Sequence, residues 1–287
     1  MSRIVVLGDL NLDIGIDEAP ERPGSEVRGS VSVAAGGSAG TFAHVAAALG
    51  ASVVFLGAVG RDIAGDLLER SLQGAGIEVH LCRTHTPSGA VVAIRRGDER
   101  SMVCSRGAND DLEAEWIDPR WLDGAVHLHV SGYALLGDRQ RAAARRAIAM
   151  ATDGGATVSL DPPPANLMAT FGVERFRKEL AGVRWLFPNE DEGRVLSGKT
   201  READVLSVLA ERYQAGAWTL GASGAIAWRG GAIDRCEVKR RLDVNSTGAG
   251  DAYAAGFVHA ALDGRPLGEV NRAACDAAYD HLHGRRA

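Results

Sequence analysis

Cysteine is scarce here: Cys82, Cys104, Cys236 and Cys275 are the only four in 287 residues, and no two have CxxC or zinc-knuckle spacing. Neither a disulfide scaffold nor a metal knuckle is indicated, and the thiols read as reduced structural residues. Excess charge of one sign is also missing. Thirty-two basic and 37 acidic side chains leave a formal net charge of -5, with no long single-sign block, which argues against nucleic acid as a partner. No apolar stretch is long enough to span a membrane, and Met1-Ser2-Arg3 runs straight into Ile4-Val5-Val6-Leu7 without a signal-peptide core. The expectation is a cytoplasmic protein with no membrane partner. Internal repeats, low-complexity tracts and interdomain linkers are absent too, so residues 1–287 read as one domain with enough apolar content (46%) for a substantial core.

Apolar runs of strand character recur at Ile4–Leu7, Val53–Leu56, Val126–Val130, Thr157–Leu160, Trp185–Phe187 and Trp218–Leu220. Helical patterns such as Ala39–Leu49, Ile63–Gln73 and Arg139–Ala149 separate them. This alternation predicts an α/β fold with a doubly wound, mainly parallel sheet. Two stretches break the rhythm, about 14–35 with Pro20 and Pro23, and about 88–104, where Ala90–Arg96 and Arg100–Cys104 flank Gly97-Asp98-Glu99 as a hairpin. They predict a small antiparallel β-lid over the C-terminal sheet edge, where open α/β sheets bind ligands.

The most informative run is Asn245-Ser246-Thr247-Gly248-Ala249-Gly250-Asp251, leading into an alanine-rich helix. Small residues before a helix let backbone N–H groups converge on an oxyanion, and the helix N-terminus adds partial positive charge. Asp251 then stands beside the anion as a base, which points to phosphoryl transfer; read alone, it is equally an ordinary first-turn carboxylate. A second glycine cluster, Gly36-Gly37-Ser38-Ala39-Gly40, precedes a helix, and Gly8-Asp9-Leu10-Asn11-Leu12-Asp13 follows the first strand. Read alone, Asn11 and Asp13 are a polar strand end. His127 and His129 share one strand face, where packing competes with an incomplete metal site. His281-Leu282-His283 reads as a polar tail.

Together, and in this order, these motifs resemble the ribokinase-like (PfkB) family of carbohydrate and nucleoside kinases. The resemblance spans nearly the whole chain and implies a Rossmann-like core, a β-lid that often makes a homodimer, and transfer of the γ-phosphoryl group of ATP to a hydroxymethyl group. It makes Asp251 the general base, with the Gly248, Ala249 and Gly250 amides on the transferring group. It puts Asn11, Asp13, Gly36, Gly37, Thr41 and Asn109 on the acceptor, and Asn189, Thr219, Gly221 and Gly224 on the nucleotide. Asn189-Glu190-Asp191-Glu192 matches its Asn-x-x-Glu motif, so Glu192 would organise Mg2+ through water; on its own the motif is a helix start capped by Asn189. As a lone Gly-x-x-Gly, Gly221 to Gly224 would be a hairpin connection.

Four departures stand out. Asn245, with Asp243 upstream, replaces the family's usual aspartate, which puts a monovalent-cation site in question, and Thr41 stands where an asparagine is usual. No segment closing over the adenine is recognisable after residue 271. The arginine often found after the central strand has no counterpart at Asp161-Pro162-Pro163-Pro164, and Arg106 is a substitute for it. The leading expectation is an ATP- and Mg2+-dependent kinase of a small sugar. A nucleoside kinase, favoured by Tyr133, and a non-catalytic sugar- or nucleotide-binding regulator on the same fold are the alternatives.

Overall fold

The computed structural model describes residues 2–18, 26–96, 99–237 and 247–284, with backbone alone at 96, 99 and 100. Pro20, Pro23, the Gly97-Asp98 turn, Asp243, Asn245 and Arg285-Arg286 lie outside the described residues.

The strands of the main sheet are β1 (Arg3–Leu7), β4 (Ser52–Gly60), β5 (Glu78–Thr84), β8 (His127–Ser131), β9 (Thr157–Asp161), β10 (Trp185–Leu186), β11 (Ala215–Thr219), β12 (Ala225–Arg229) and β13 (Ala232–Cys236). The smaller sheet holds β2 (Asn11–Asp17), β3 (Ser30–Gly36), β6 (Gly89–Arg96) and β7 (Glu99–Ser105). Among the described residues the helices are α1 (Ser38–Ala48), α2 (Ile63–Gly74), α3 (Asp138–Asp153), α4 (Ala165–Phe171), α5 (Val173–Glu179), α6 (Glu190–Ser197), α7 (Glu202–Arg212), α8 (Ala249–Leu262) and α9 (Leu267–Leu282).

The main sheet runs β13-β12-β11-β10-β9-β8-β1-β4-β5, parallel from β5 to β11, with β12 and β13 added as an antiparallel meander. The mainly parallel doubly wound sheet expected from the sequence is present. Alternation along β1 divides the core: Val5 and Leu7 pack with α3 to α7 on one face, while Ile4 and Val6 pack with α1, α2, α8 and α9 on the other. Strand order reverses between β1 and β8, the place where doubly wound sheets open a crevice at their strand ends. β5 is a partly exposed edge strand reading Glu-Val-His-Leu-Cys-Arg-Thr, whose polar positions hide it from an apolar-run search.

The smaller sheet has the order β3-β2-β6-β7. β2 pairs antiparallel with β3 and parallel with β6, and β6 pairs antiparallel with β7, so one parallel seam joins two hairpin-like halves. β2 leaves directly from the end of β1, and β3 returns directly into α1. The β2–β3 half of the smaller sheet is therefore continuous in sequence with the strand-end and glycine motifs at Asn11, Asp13 and Gly36-Gly37.

Candidate active site

The ends of β1, β8, β9, β10 and β11, the start of α8 and one face of the lid enclose a cavity of about 790 Å³. Every residue assigned to a site from the sequence lines it except Gly36 and Asn109.

At its centre is the start of α8. Gly248 takes φ 80°, a left-handed conformation natural to glycine, and no side chain caps this helix end. A Cβ on Gly248 would lie 2.6 Å from Nε2 of His281 and 3.2 Å from Cγ2 of Thr41, so α9 and α1 close in on the turn from both sides. His281 also bonds to the backbone of Thr247. It is part of α9 and a buttress of the turn rather than a polar tail; its place in a run of helical small residues was the available signal. The segment after residue 271 likewise continues α9, whose Cys275, Ala278, Tyr279 and Leu282 line the cavity.

Asp251 sits in the first turn of α8. Burial raises its carboxyl to about 6, opposed by hydrogen bonds from Asp161 and Ser38 and reinforced by the charges of Asp9 and Asp13. Ser38 Oγ donates to its Oδ1 at 2.7 Å. Asp161 is pushed well above the carboxylate range by burial, then by the charges of Asp251 and Glu192. Two neighbouring carboxyls in a poorly solvated floor cannot both ionise freely. Asp161 keeps the proton and donates; Asp251 carries the charge.

On the acceptor side, Asn11 and Asp13 lie at the start of β2. Asn109 is fully buried beneath the cavity, accepting from Leu10 N at 2.9 Å and donating to Asn11 Oδ1 at 2.8 Å and Arg106 O at 2.8 Å. It orients Asn11. Gly36 is likewise beneath the surface, and a Cβ there would lie 2.1 Å from Asp13 Oδ2. Its role is to leave room for Asp13. Gly37 and Thr41 do line the cavity. Asp9, not singled out from the sequence, accepts from Ser131 Oγ at 2.7 Å and Ser38 N at 3.0 Å.

On the opposite side, Asn189 and Glu192 form a capping box. Glu192 accepts from Asn189 N at 2.8 Å and Nδ2 at 2.6 Å, and Glu192 N donates to Asn189 Oδ1 at 3.0 Å. Both readings of this motif therefore meet: the helix cap is real, and Glu192 still borders the cavity. Burial lifts its carboxyl to about 8, against the hydrogen bonds of Asn189 and with the charges of Asp251 and Asp191. An isolated bridge sets Asn189 beside Thr219. Gly221 and Gly224 flank the connection between the antiparallel β11 and β12, so the hairpin reading holds as well; a Cβ on Gly224 would lie 1.9 Å from the Cys236 carbonyl oxygen.

Arg106 is the only lysine or arginine among the described residues lining the cavity. It is already engaged, donating to Asp110 Oδ1 at 3.0 Å and Gln140 Oε1 at 2.5 Å, with its guanidinium 5.4 Å from the centre of the Tyr133 ring. The cavity's Glu192, Asp251 and Asn189 side-chain oxygens suit a hard cation, although no group of three or more His, Cys, Asp or Glu side chains among the described residues forms a cage. That is the pattern for Mg2+ held chiefly by phosphate and water. His127 and His129 form no such site: both are fully buried and share Ser159 Oγ, at 2.7 and 2.9 Å.

The pattern described as pfkB family carbohydrate kinase matches residues 1–279. A fructokinase of Escherichia coli is 30% identical over 271 residues, covering 90% of this chain and 83% of its own. An ATP-dependent ribose-1-phosphate kinase of Halopiger xanaduensis is 29% identical, covering 95% and 88%. Among solved structures, an adenosine kinase from Sinorhizobium meliloti superposes with a TM-score of 0.87 at 24% identity, covering 98% and 94%, a likeness of fold.

Proposed function

Because the chain belongs to the pfkB family of carbohydrate kinases, phosphotransferases acting on sugar hydroxyls, we propose that it moves the γ-phosphoryl group of ATP to a hydroxymethyl group of a small neutral sugar, a pentose or hexose, in the cytoplasm. The observation that carries this reading is the position of Asp251: its carboxyl stands at an uncapped helix start, in a cavity shared with Asn11 and Asp13. Family membership also sets aside the regulator alternative.

In the proposed mechanism Asn11 and Asp13 grip the sugar and direct its hydroxymethyl group at Asp251, which takes the proton as the oxygen attacks phosphorus. The amides of Gly248, Ala249 and Gly250 stabilise charge on the transferring group; fixed donors do this without reorganisation. Asn189, Thr219, Gly221 and Gly224 hold the nucleotide, and the lid excludes water that would otherwise turn transfer into hydrolysis. Mg2+, when bound, neutralises phosphate charge, with Glu192 holding it through water beside Asn189. That neutralisation is needed because the phosphates would share the cavity with Asp9, Asp13 and Asp251 and with one engaged guanidinium. The same imbalance disfavours anionic acceptors.

One observation favours a nucleoside as second reading. Val91, Met102 and Cys104 of the lid and Tyr133 form an apolar wall beyond Asp13, suited to a flat aglycone. A coupled ADP-release assay over neutral sugars, nucleosides, sugar acids and sugar phosphates separates the possibilities. Turnover with a neutral sugar supports the first reading, turnover confined to nucleosides replaces it by the second, and turnover confined to anionic acceptors overturns both.

A further inference from the structure

The N-cap of α1 is Gly37, so no side chain caps this helix, and Ser38 follows as its first residue. The Ser38 hydroxyl crosses to Asp251, 213 positions away, donating to Oδ1 at 2.7 Å. Its backbone is fixed independently, because Ser38 N donates to Asp9 Oδ2 at 3.0 Å while Asp9 Oδ1 accepts from Ser131 Oγ at 2.7 Å. Gly37 makes this approach possible: it takes φ 92°, and a Cβ there would lie 2.6 Å from the Asp9 carbonyl oxygen. The result is a chain of contacts from β8 through Asp9 and the start of α1 to the start of α8.

We propose that Ser38 is a positioning residue for phosphoryl transfer: its hydroxyl holds one oxygen of Asp251 so that the other faces the acceptor hydroxyl, and Asp9 sets Ser38 in place from the floor of the acceptor site. The inference rests on Asp251 being the base. A carboxylate in a cavity can rotate about its last torsion, and the Ser38 donor, together with the hydrogen bond from Asp161, removes that freedom before substrate arrives. Asp9 also accepts from Asn11 Nδ2 at 3.3 Å, so the residue that grips the sugar and the residue that receives its proton are held from one carboxylate.

The test is steady-state kinetics with the best acceptor from the panel, on Ser38→Ala, Ser38→Thr, Asp9→Asn and Asp251→Asn, each checked for fold by circular dichroism. Ser38→Ala is expected to lower kcat about 10- to 100-fold, the scale of a misplaced reacting group, with KM for acceptor and ATP within about twofold. Ser38→Thr keeps the hydroxyl and is expected to recover most of kcat. Combining Ser38→Ala with Asp9→Asn is expected to cost little more than the worse single change, since both break one chain of contacts. An unchanged kcat in Ser38→Ala, or an equal loss in Ser38→Thr, overturns the proposal. Full activity in Asp251→Asn would instead overturn the base assignment on which it rests.

Discussion

The carboxyl groups of Asp161, at the end of β9, and Asp251, in the first turn of α8, are joined by a hydrogen bond, and the two divide one proton unequally. Asp161 is held protonated well above the ordinary range, and Asp251 titrates at about 6, so near neutral pH the pair carries its single charge on the residue beside the amides of α8. A base must be ionised to act, and a raised value means the charge is lost earlier as pH falls. The acceptor kcat/KM should therefore decline about tenfold per pH unit below about pH 6. A pH profile flat down to pH 5 would contradict this.

Removing the charge outright should be more severe. Asp251→Asn keeps the shape and the Ser38 contact but cannot accept a proton, and general bases contribute about 10²- to 10⁴-fold. The expected outcome is a loss of kcat in that range with ATP and acceptor affinities, measured by calorimetry, little changed. Loss of binding along with turnover would mark the residue as structural.

Gly36→Ala tests the acceptor floor from beneath. Its new methyl would stand 2.1 Å from Asp13 Oδ2, so either Asp13 or the β2–β3 pairing must move. On the proposed reading, acceptor KM should rise at least about tenfold while KM for ATP holds. Asn109→Ala should act in the same direction, because it releases Asn11 and leaves Leu10 N without its acceptor.

These two residues also mark what a sequence can disclose. The glycine runs, Asp251 and the Asn-x-x-Glu motif are local patterns, and residues of each line the cavity. Asn109 and Gly36 belong to the same motifs, yet they work through another side chain, a distinction that depends on contacts across 98 residues for the Asn109–Asn11 pair. Ser38 and Asp9 were passed over for the same reason: a serine at a helix start and an aspartate at a strand end have ordinary local explanations. His281 was hidden because an imidazole near a chain end reads as solvent-exposed until α9 is seen folding back against Gly248.

The two buried imidazoles weaken folding below pH 6.5 for a reason unconnected with catalysis, while the raised carboxyls of Asp161, Glu192 and Asp251 act in the opposite direction. Burial drives His127 down to about 3 and His129 well below 6.5, so both stay neutral in the folded chain while the unfolded chain takes up protons. Their contribution is intact above the ordinary value and is lost as pH drops, by about 1.4 kcal/mol per pH unit for each imidazole. Ser159→Ala should add about 1–3 kcal/mol of destabilisation at any pH, since the shared hydroxyl serves both rings. Urea midpoints of the parent chain, His127→Phe and Ser159→Ala at pH 7 and pH 5 check both statements, and an equal pH dependence in the parent and His127→Phe would refute the first.

Residues paired across a sheet present their side chains to one face, and in the lid this sorts the chemistry sharply. The row Asp13, Val91 and Cys104 faces the cavity. The alternate rows Val33, Ile14, Val92, Val103 and Val31, Ile16, Ile94 face outward, with Val31 64%, Val33 55% and Val103 64% exposed. An apolar sheet face of this kind, bordered by the edge strands β3 and β7, is costly in water and stabilised by a matching surface. The proposed homodimer through the lid provides one. Light scattering should give twice the chain mass of 30.1 kDa at micromolar concentration, and Val33→Lys with Val103→Lys should return the monomer with the fold intact. A monomeric parent chain under those conditions would remove the lid from consideration as a subunit interface, and its apolar outer face would then need a different partner.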